Sequence, residues 1–201
     1  MDELYDGKGE RLDMVNILVC NQKGGVGKSL IADELAFSFE RSKVPVSFVD
    51  LDAQGGTIHQ TSQREDAKVT VVDTPGALQS ELKDWIANAD IIIIPTRTTS
   101  RDIEPLMRMQ QAVGAAQRAG KPVVYVLNGW NRWRASSDFL EWFRGSGVDV
   151  PIYKLPQSEQ FVQAGASGVS VVEYARHGAA ARATLELCNA VRKLAGFKKE
   201  R

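Results

Sequence analysis

Hydrophobic residues along this chain fall into short runs separated by longer stretches with helical periodicity. Val15-Asn16-Ile17-Leu18-Val19-Cys20 is nearly continuous in apolar character, which suits a strand buried on both faces. From Ser29 to Phe39 the spacing changes, and Ile31, Leu35 and Phe39 share one helical face. The alternation then repeats. Strands are predicted at Val46–Asp50, Val69–Val72, Asp90–Pro95, Val123–Leu127 and Val150–Leu155. Helices are predicted at about 79–88, 102–119, around Phe139–Phe143 and at 179–194, the second stopped by Gly120 and Pro122. Ile91-Ile92-Ile93-Ile94 is the clearest buried strand. Strands alternating with helices predict an α/β fold: one doubly wound, mostly parallel sheet with helices on both faces.

Between the first strand and the first helix lies Gln22-Lys23-Gly24-Gly25-Val26-Gly27-Lys28-Ser29. A phosphate loop of the form G-x-x-x-x-G-K-[ST] surrounds phosphates with backbone N–H groups, reaches them with its lysine and holds Mg²⁺ with its hydroxyl. Gly27, Lys28 and Ser29 fit that frame. Gln22 takes the place of the first glycine and Lys23 adds a second cation, the deviant form K-G-G-x-G-K-[ST]. The strand before it and helix after it supply the required context, because a helix N-terminus offers unpaired N–H groups and a positive dipole end. Further on, the strand at 46–50 runs into Asp50-Leu51-Asp52-Ala53-Gln54-Gly55, with the two acids on one side of an extended chain. The strand at 69–72 ends in Asp73-Thr74-Pro75-Gly76, where a carboxylate can hold a water of Mg²⁺ and the Pro-Gly pair can begin a mobile segment.

These motifs resemble those of the ParA/MinD superfamily of deviant Walker A ATPases, and most closely its small, single-domain partition members. The resemblance implies ATP and ADP as ligands, with Mg²⁺, and a site built as follows. Gly24, Gly25, Val26, Gly27, Lys28, Ser29 and Leu30 would surround the phosphates, with Ser29, Asp50 and Asp73 toward the metal. Asp52 would orient the attacking water. Lys23 would reach across a nucleotide-sandwich homodimer to the partner's phosphates, so that Lys23, Lys28 and Asp52 carry catalysis. Asn128, directly after a strand, would contact adenine, or else cap the loop before Gly129; Pro156 and Gln157 would pack along the base. Two features depart from the family pattern. Leu30 replaces a second hydroxyl residue, and the short step from Gln54 to Asp73 leaves no room for a helical insert.

Composition narrows the setting. The 201 residues carry 25 basic and 25 acidic side chains, which argues against a uniformly basic nucleic-acid binder while leaving room for a local patch. Residues 1–13 are acidic and expected to be frayed, with one ATPase domain over 14–201. Cys20 and Cys188 follow no metal spacing and read as reduced thiols of a cytoplasmic protein. From Arg176 onward, Arg182, Arg192, Lys193, Lys198, Lys199 and Arg201 outnumber the acids, a patch suited to nonspecific DNA contact in an ATP dimer associated with the nucleoid. A ParB-like or other centromere-binding adaptor would stimulate a slow ATPase. Two alternatives stay open. Leu187, Cys188, Val191, Leu194, Ala195 and Phe197 could form the apolar face of a MinD-like membrane anchor, although membrane binding is the less favoured reading. A metabolic ATP-dependent ligase uses the same core. Trp130, Arg132, Trp133, Arg134, Trp142 and Arg144 suit either core packing or a partner surface.

Overall fold

The computed structural model describes residues 14–76, 80–147 and 149–200; the acidic segment 1–13 and the expected helix start at Gln79 lie outside them. Six parallel strands form one sheet in the order β2-β3-β1-β4-β5-β6. They are β1 (Val15–Val19), β2 (Val46–Asp50), β3 (Val69–Asp73), β4 (Ile91–Thr96), β5 (Val123–Trp130) and β6 (Ile152–Pro156). The helices are α1 (Lys28–Arg41), α2 (Leu82–Asn88), α3 (Ile103–Arg118), α4 (Arg134–Gly145), α5 (Glu159–Ala166), α6 (Val171–Tyr174) and α7 (Ala179–Leu194).

Strand pleating divides the apolar runs between two cores. Ile17, Val19, Ile91 and Ile93 face a cluster with Leu35 and Phe39 of α1 and Leu187 and Val191 of α7. Leu18, Cys20, Ile92 and Ile94 face the other, with Leu106 and Met109 of α3 and Phe139 and Phe143 of α4. This explains why the strands read as unbroken hydrophobic runs: both faces are covered. The four strand side chains on either face contribute on the order of 10 kcal/mol of transfer free energy.

Register places the chemistry. Val19 pairs with Asp73, and Asp50 also pairs with Asp73, so the carboxyl ends of β1, β2 and β3 stop at one level. Ligands of open parallel sheets bind at that edge, where neighbouring crossovers depart to opposite faces.

Several boundaries differ from the sequence expectation. A 3-10 turn, Ser100–Asp102, precedes α3, because Thr99 and Asp102 form a reciprocal capping box there. Strand β5 continues through Asn128 and Gly129 to Trp130, with an irregularity in its pairing to β6. Strand β6 begins two residues late because Val150 is followed by Pro151, which has no N–H to donate and only offers its carbonyl to Tyr125. The short helices α5 and α6 were not anticipated. They start at serine caps, Ser158 and Ser170, whose hydroxyls accept from Gln160 and Val172 N–H groups.

Three surface expectations also change. Leu187, Cys188, Val191 and Ala195 are buried in the α1–α7 core, and Phe197 packs edge-on to Phe39 at 5.5 Å, so this face is not a free anchor. Arg192 is 3% exposed rather than part of a basic patch. Its guanidinium donates to the carbonyls of Lys198 and Ser38 and closes the C-terminal turn. Trp130 and Trp142 pack on the second core, whereas Trp133 is 70% exposed. Both cysteines are buried free thiols, and burial pushes Cys20 up to about 12. Among the described residues, no helix is long and apolar enough to cross a membrane.

Candidate nucleotide site

The loop from Asn21 to Gly27 leaves β1 and turns into α1 at the sheet's carboxyl edge. Its last residue, Gly27, has φ 97°, a left-handed conformation that side chains rarely adopt. A Cβ at Gly27 would also lie 2.0 Å from the Asn128 amide nitrogen. That nitrogen donates to the Val26 carbonyl at 2.9 Å. Asn128 therefore ties the phosphate loop to β5 with its amide N–H. Asn21, 3% exposed, completes the support: its amide donates to Pro95 at 2.7 Å and its oxygen accepts from the Lys23 N–H at 3.1 Å.

Lys28 is the buried cation of the site, 6% exposed. Burial pulls its ammonium below the usual range, against the upward pull of Asp73 first and Asp52 second. It donates to the Lys23 carbonyl at 3.3 Å. Across from it Asp73 is fully buried, and neither carboxylate oxygen has a hydrogen-bond partner among the described residues. Burial is the main reason its pKa rises to about 6. Asp50 adds to that rise; the facing Ser29 hydroxyl opposes it without closing a hydrogen bond of good geometry, as does Lys28. An unpaired carboxylate in this position is costly to the fold. It suits a cation that arrives with a ligand.

Gly76 is required by close contact rather than by torsion. A Cβ there would lie 2.7 Å from the Gly24 Cα and 2.8 Å from its nitrogen, so the Asp73–Gly76 segment lies directly against the phosphate loop. The Thr74 hydroxyl donates to the Val19 carbonyl and fixes that approach at 3.0 Å. Ala77 to Gln79 are outside the described residues.

Asp50 and Asp52 divide the work of the next loop. Asp50 accepts from the Asp52 N–H and the Thr57 hydroxyl, each at 2.8 Å, so both its oxygens shape the loop. Asp52 is half-buried and accepts only from the Gln54 N–H at 3.0 Å. It lines the main cavity, about 970 Å³, with the phosphate loop, Leu51 to Gly55, Pro75, Gly76, Glu81 and Trp85. Leu30, Pro156 and Gln157 border an adjoining cavity of about 670 Å³. Leu30, Arg97 and Asn128 line both.

Lys23 does not point into the phosphate cavity of its own chain. Its ammonium lies 2.5 Å from Asp102 and 3.3 Å from the Arg101 carbonyl. Asp102 and Arg97, whose guanidinium donates to Gly25 at 3.2 Å, were missed by sequence reasoning. For Asp102 the Thr99-x-x-Asp102 capping spacing was an available signal; Arg97 carried none.

A sandwich of phosphate loop, unpaired acid and buried lysine is the form of a nucleotide site, and family comparison decides which kind. Residues 17–171 match the model of the CobQ/CobB/MinD/ParA nucleotide binding domain. The chain belongs to this family. A curated relative, the cytosolic Fe-S cluster assembly factor CFD1 of Coccidioides immitis, is 32% identical over 106 residues, which are 53% of this chain and 25% of that protein. The chain thus spans about a quarter of the length of that relative. Among solved structures, a Cyanothece McdA–ATP complex superposes with TM-score 0.73 at 14% identity, covering 94% of this chain and 98% of McdA. The Pyrococcus furiosus cell division ATPase MinD superposes with TM-score 0.63 at 16% identity, covering 90% and 100%. At those identities the likeness is one of fold. The deviant phosphate loop, the alternating acids and the Asp73 strand end all sit at the carboxyl edge of the parallel sheet. Among the described residues no cluster of three or more His, Cys, Asp or Glu forms a metal cage. Mg²⁺ fits this donor set, since it retains waters and takes most of its charge compensation from phosphate.

Proposed function

We propose that this protein is a Mg²⁺-dependent ATPase of the partition type, which pairs with a second copy around ATP and positions a plasmid, another replicon or a similar cargo on bacterial DNA. The observation that carries the ATPase reading is the fully buried, unpartnered Asp73 carboxylate beside Ser29 and Lys28. The fold stability lost to that arrangement is regained only when a cation comes in.

The roles follow from placement. Lys28 leaves the Lys23 carbonyl for the phosphate oxygens, and the loop N–H groups complete the cradle. Ser29 and Asp73 would hold Mg²⁺, with Asp50 fixing the adjacent loop. When bound, the ion neutralises charge on the β and γ phosphates. Asp52 has one oxygen uncommitted and faces the cavity, so it accepts a hydrogen bond from the attacking water and aims it. Lys23 completes the partner's site, adding positive charge where negative charge grows during transfer. Leu30, Asn128, Pro156 and Gln157 border the base. Catalysis is then mostly positioning and charge neutralisation, which suits slow turnover that an adaptor of the ParB type accelerates.

For DNA, the exposed cations of the C-terminal region are Arg176, Arg182, Lys193, Lys198 and Lys199. Two such patches on one duplex gain from effective concentration once chains pair. The test is light scattering with Mg²⁺ and a non-hydrolysable ATP analogue, followed by gel shift on random DNA. A dimer that binds DNA in a salt-sensitive manner only with the triphosphate is expected. Single chains in both nucleotide states would contradict the reading.

A further inference from the structure

Lys23 is held within its own chain by a group that can let it go. Its ammonium sits 2.5 Å from Oδ1 of Asp102, a residue only 1% exposed, while the lysine side chain itself remains 30% exposed. The other oxygen, Oδ2, accepts from the Thr99 N–H at 3.2 Å and from the Thr99 hydroxyl, at the start of the turn leading into α3. Asp102 keeps its two Thr99 donors on Oδ2 when Lys23 departs, so the carboxylate loses one partner and retains two hydrogen bonds. The Lys23 backbone is held independently, its N–H donating to Asn21. Only the flexible four-carbon stem must swing.

Resting on the sandwich reading above, we propose that Asp102 is a positioning residue that parks Lys23 in cis and thereby sets how readily two chains pair. One ammonium serves either Asp102 or the partner's phosphates. The apparent pairing affinity then falls by the fraction of chains in which Lys23 is released. A partner or ligand that disturbs the Thr99–Asp102 turn would raise pairing with no contact to the nucleotide.

Asp102→Asn removes the charge and retains a capping oxygen; Asp102→Ser is the alternative cap if that variant fails to fold, and Asp102→Glu restores the charge. Two measurements apply. In single chains with ADP, reductive methylation of the Lys23 amine, followed by mass spectrometry, should be about tenfold faster in Asp102→Asn and return toward the wild-type rate in Asp102→Glu. In sedimentation with Mg²⁺ and a non-hydrolysable analogue, the dimer dissociation constant should fall on the order of tenfold in Asp102→Asn, while ADP affinity and melting temperature stay near wild type. Normal wild-type pairing with unchanged or weaker pairing in a folded Asp102→Asn chain overturns this proposal alone. Wild-type chains that never pair overturn the sandwich reading and this proposal together.

Discussion

Glu34 and Asp73 are both buried carboxylates whose pKa is raised chiefly by burial, yet the two are treated oppositely. Glu34, on α1 in the α1–α7 core, accepts from the Ser170 hydroxyl at 2.5 Å and the Val171 N–H at 2.8 Å and so caps α6. The same region fits Arg192 to two carbonyls and pairs Arg41 with Glu200; one Arg41 nitrogen and the Thr184 hydroxyl are its exceptions. At the sheet's carboxyl edge Asp73 has no such partner among the described residues. A low-dielectric environment makes an unpaired group expensive wherever it lies. The α1–α7 region meets that cost with its own donors, whereas at the edge the proposed nucleotide-bound cation would meet it.

Breaking the comparison at its functional end should give the largest effect. Asp73→Asn is expected to cut hydrolysis by at least about a hundredfold, while raising fold stability at pH 7 by about 3 kcal/mol because a buried charge is gone. The pH dependence carries a sign. The folded pKa of about 6 lies above the ordinary 3.8, so between those values the folded chain holds a proton that the unfolded chain has released. Stability from this group is full below that window and is lost as pH rises through it. The advantage of Asp73→Asn over wild type should shrink on acidification and vanish below about pH 4, as read by denaturant titration at several pH values.

Glu34→Ala breaks the other end. Leaving Ser170 and the Val171 N–H unpaired should destabilise by about 2–4 kcal/mol, with nucleotide affinity per folded chain unchanged. Gly76→Ala sits between the two, since its Cβ would force the Asp73 segment off the phosphate loop. Isothermal titration should show nucleotide affinity lower by about tenfold or more, with a smaller loss of stability. The mildest change is Lys198→Glu with Lys199→Glu. Random-DNA binding should weaken, and its salt slope should fall by about one for each DNA phosphate that is no longer neutralised, leaving hydrolysis without DNA unaltered.

What could be read from sequence follows the same division. The phosphate loop, Asp52 and Asp73 are local patterns: a few adjacent residues placed at a strand end, where alternation already says which end of the sheet they occupy. The two-sided sheet was equally legible, because Ile91 to Ile94 could only be covered on both faces. Contacts between distant segments were not. Asp102 meets Lys23 across 79 positions, Arg97 meets Gly25 across 72, and Asn21 meets Pro95 across 74. Each pairing arises only when parallel strands bring their ends to one level. Charge misled at Arg192, which looks like a surface cation until the C-terminal turn folds its carbonyls around it. Tryptophan spacing could not separate Trp133, left exposed, from Trp130 and Trp142, which pack half-buried against the second core. The short α5 and α6, interrupted by Gly165 and Gly168, carry too few periodic positions to register as helices.

The central claim is that each site is completed by the other chain's Lys23, and mixing two inactive variants tests it most directly. Lys23→Ala chains retain Asp52, and Asp52→Ala chains retain Lys23, so a mixed pair contains one complete site if the lysine works in trans. ATP turnover of the equimolar mixture should recover toward about a quarter of wild type, since half the pairs are mixed and each has one of two sites intact. A mixture no more active than its separate components, with pairing verified by sedimentation, would show that Lys23 serves its own chain and would contradict the account.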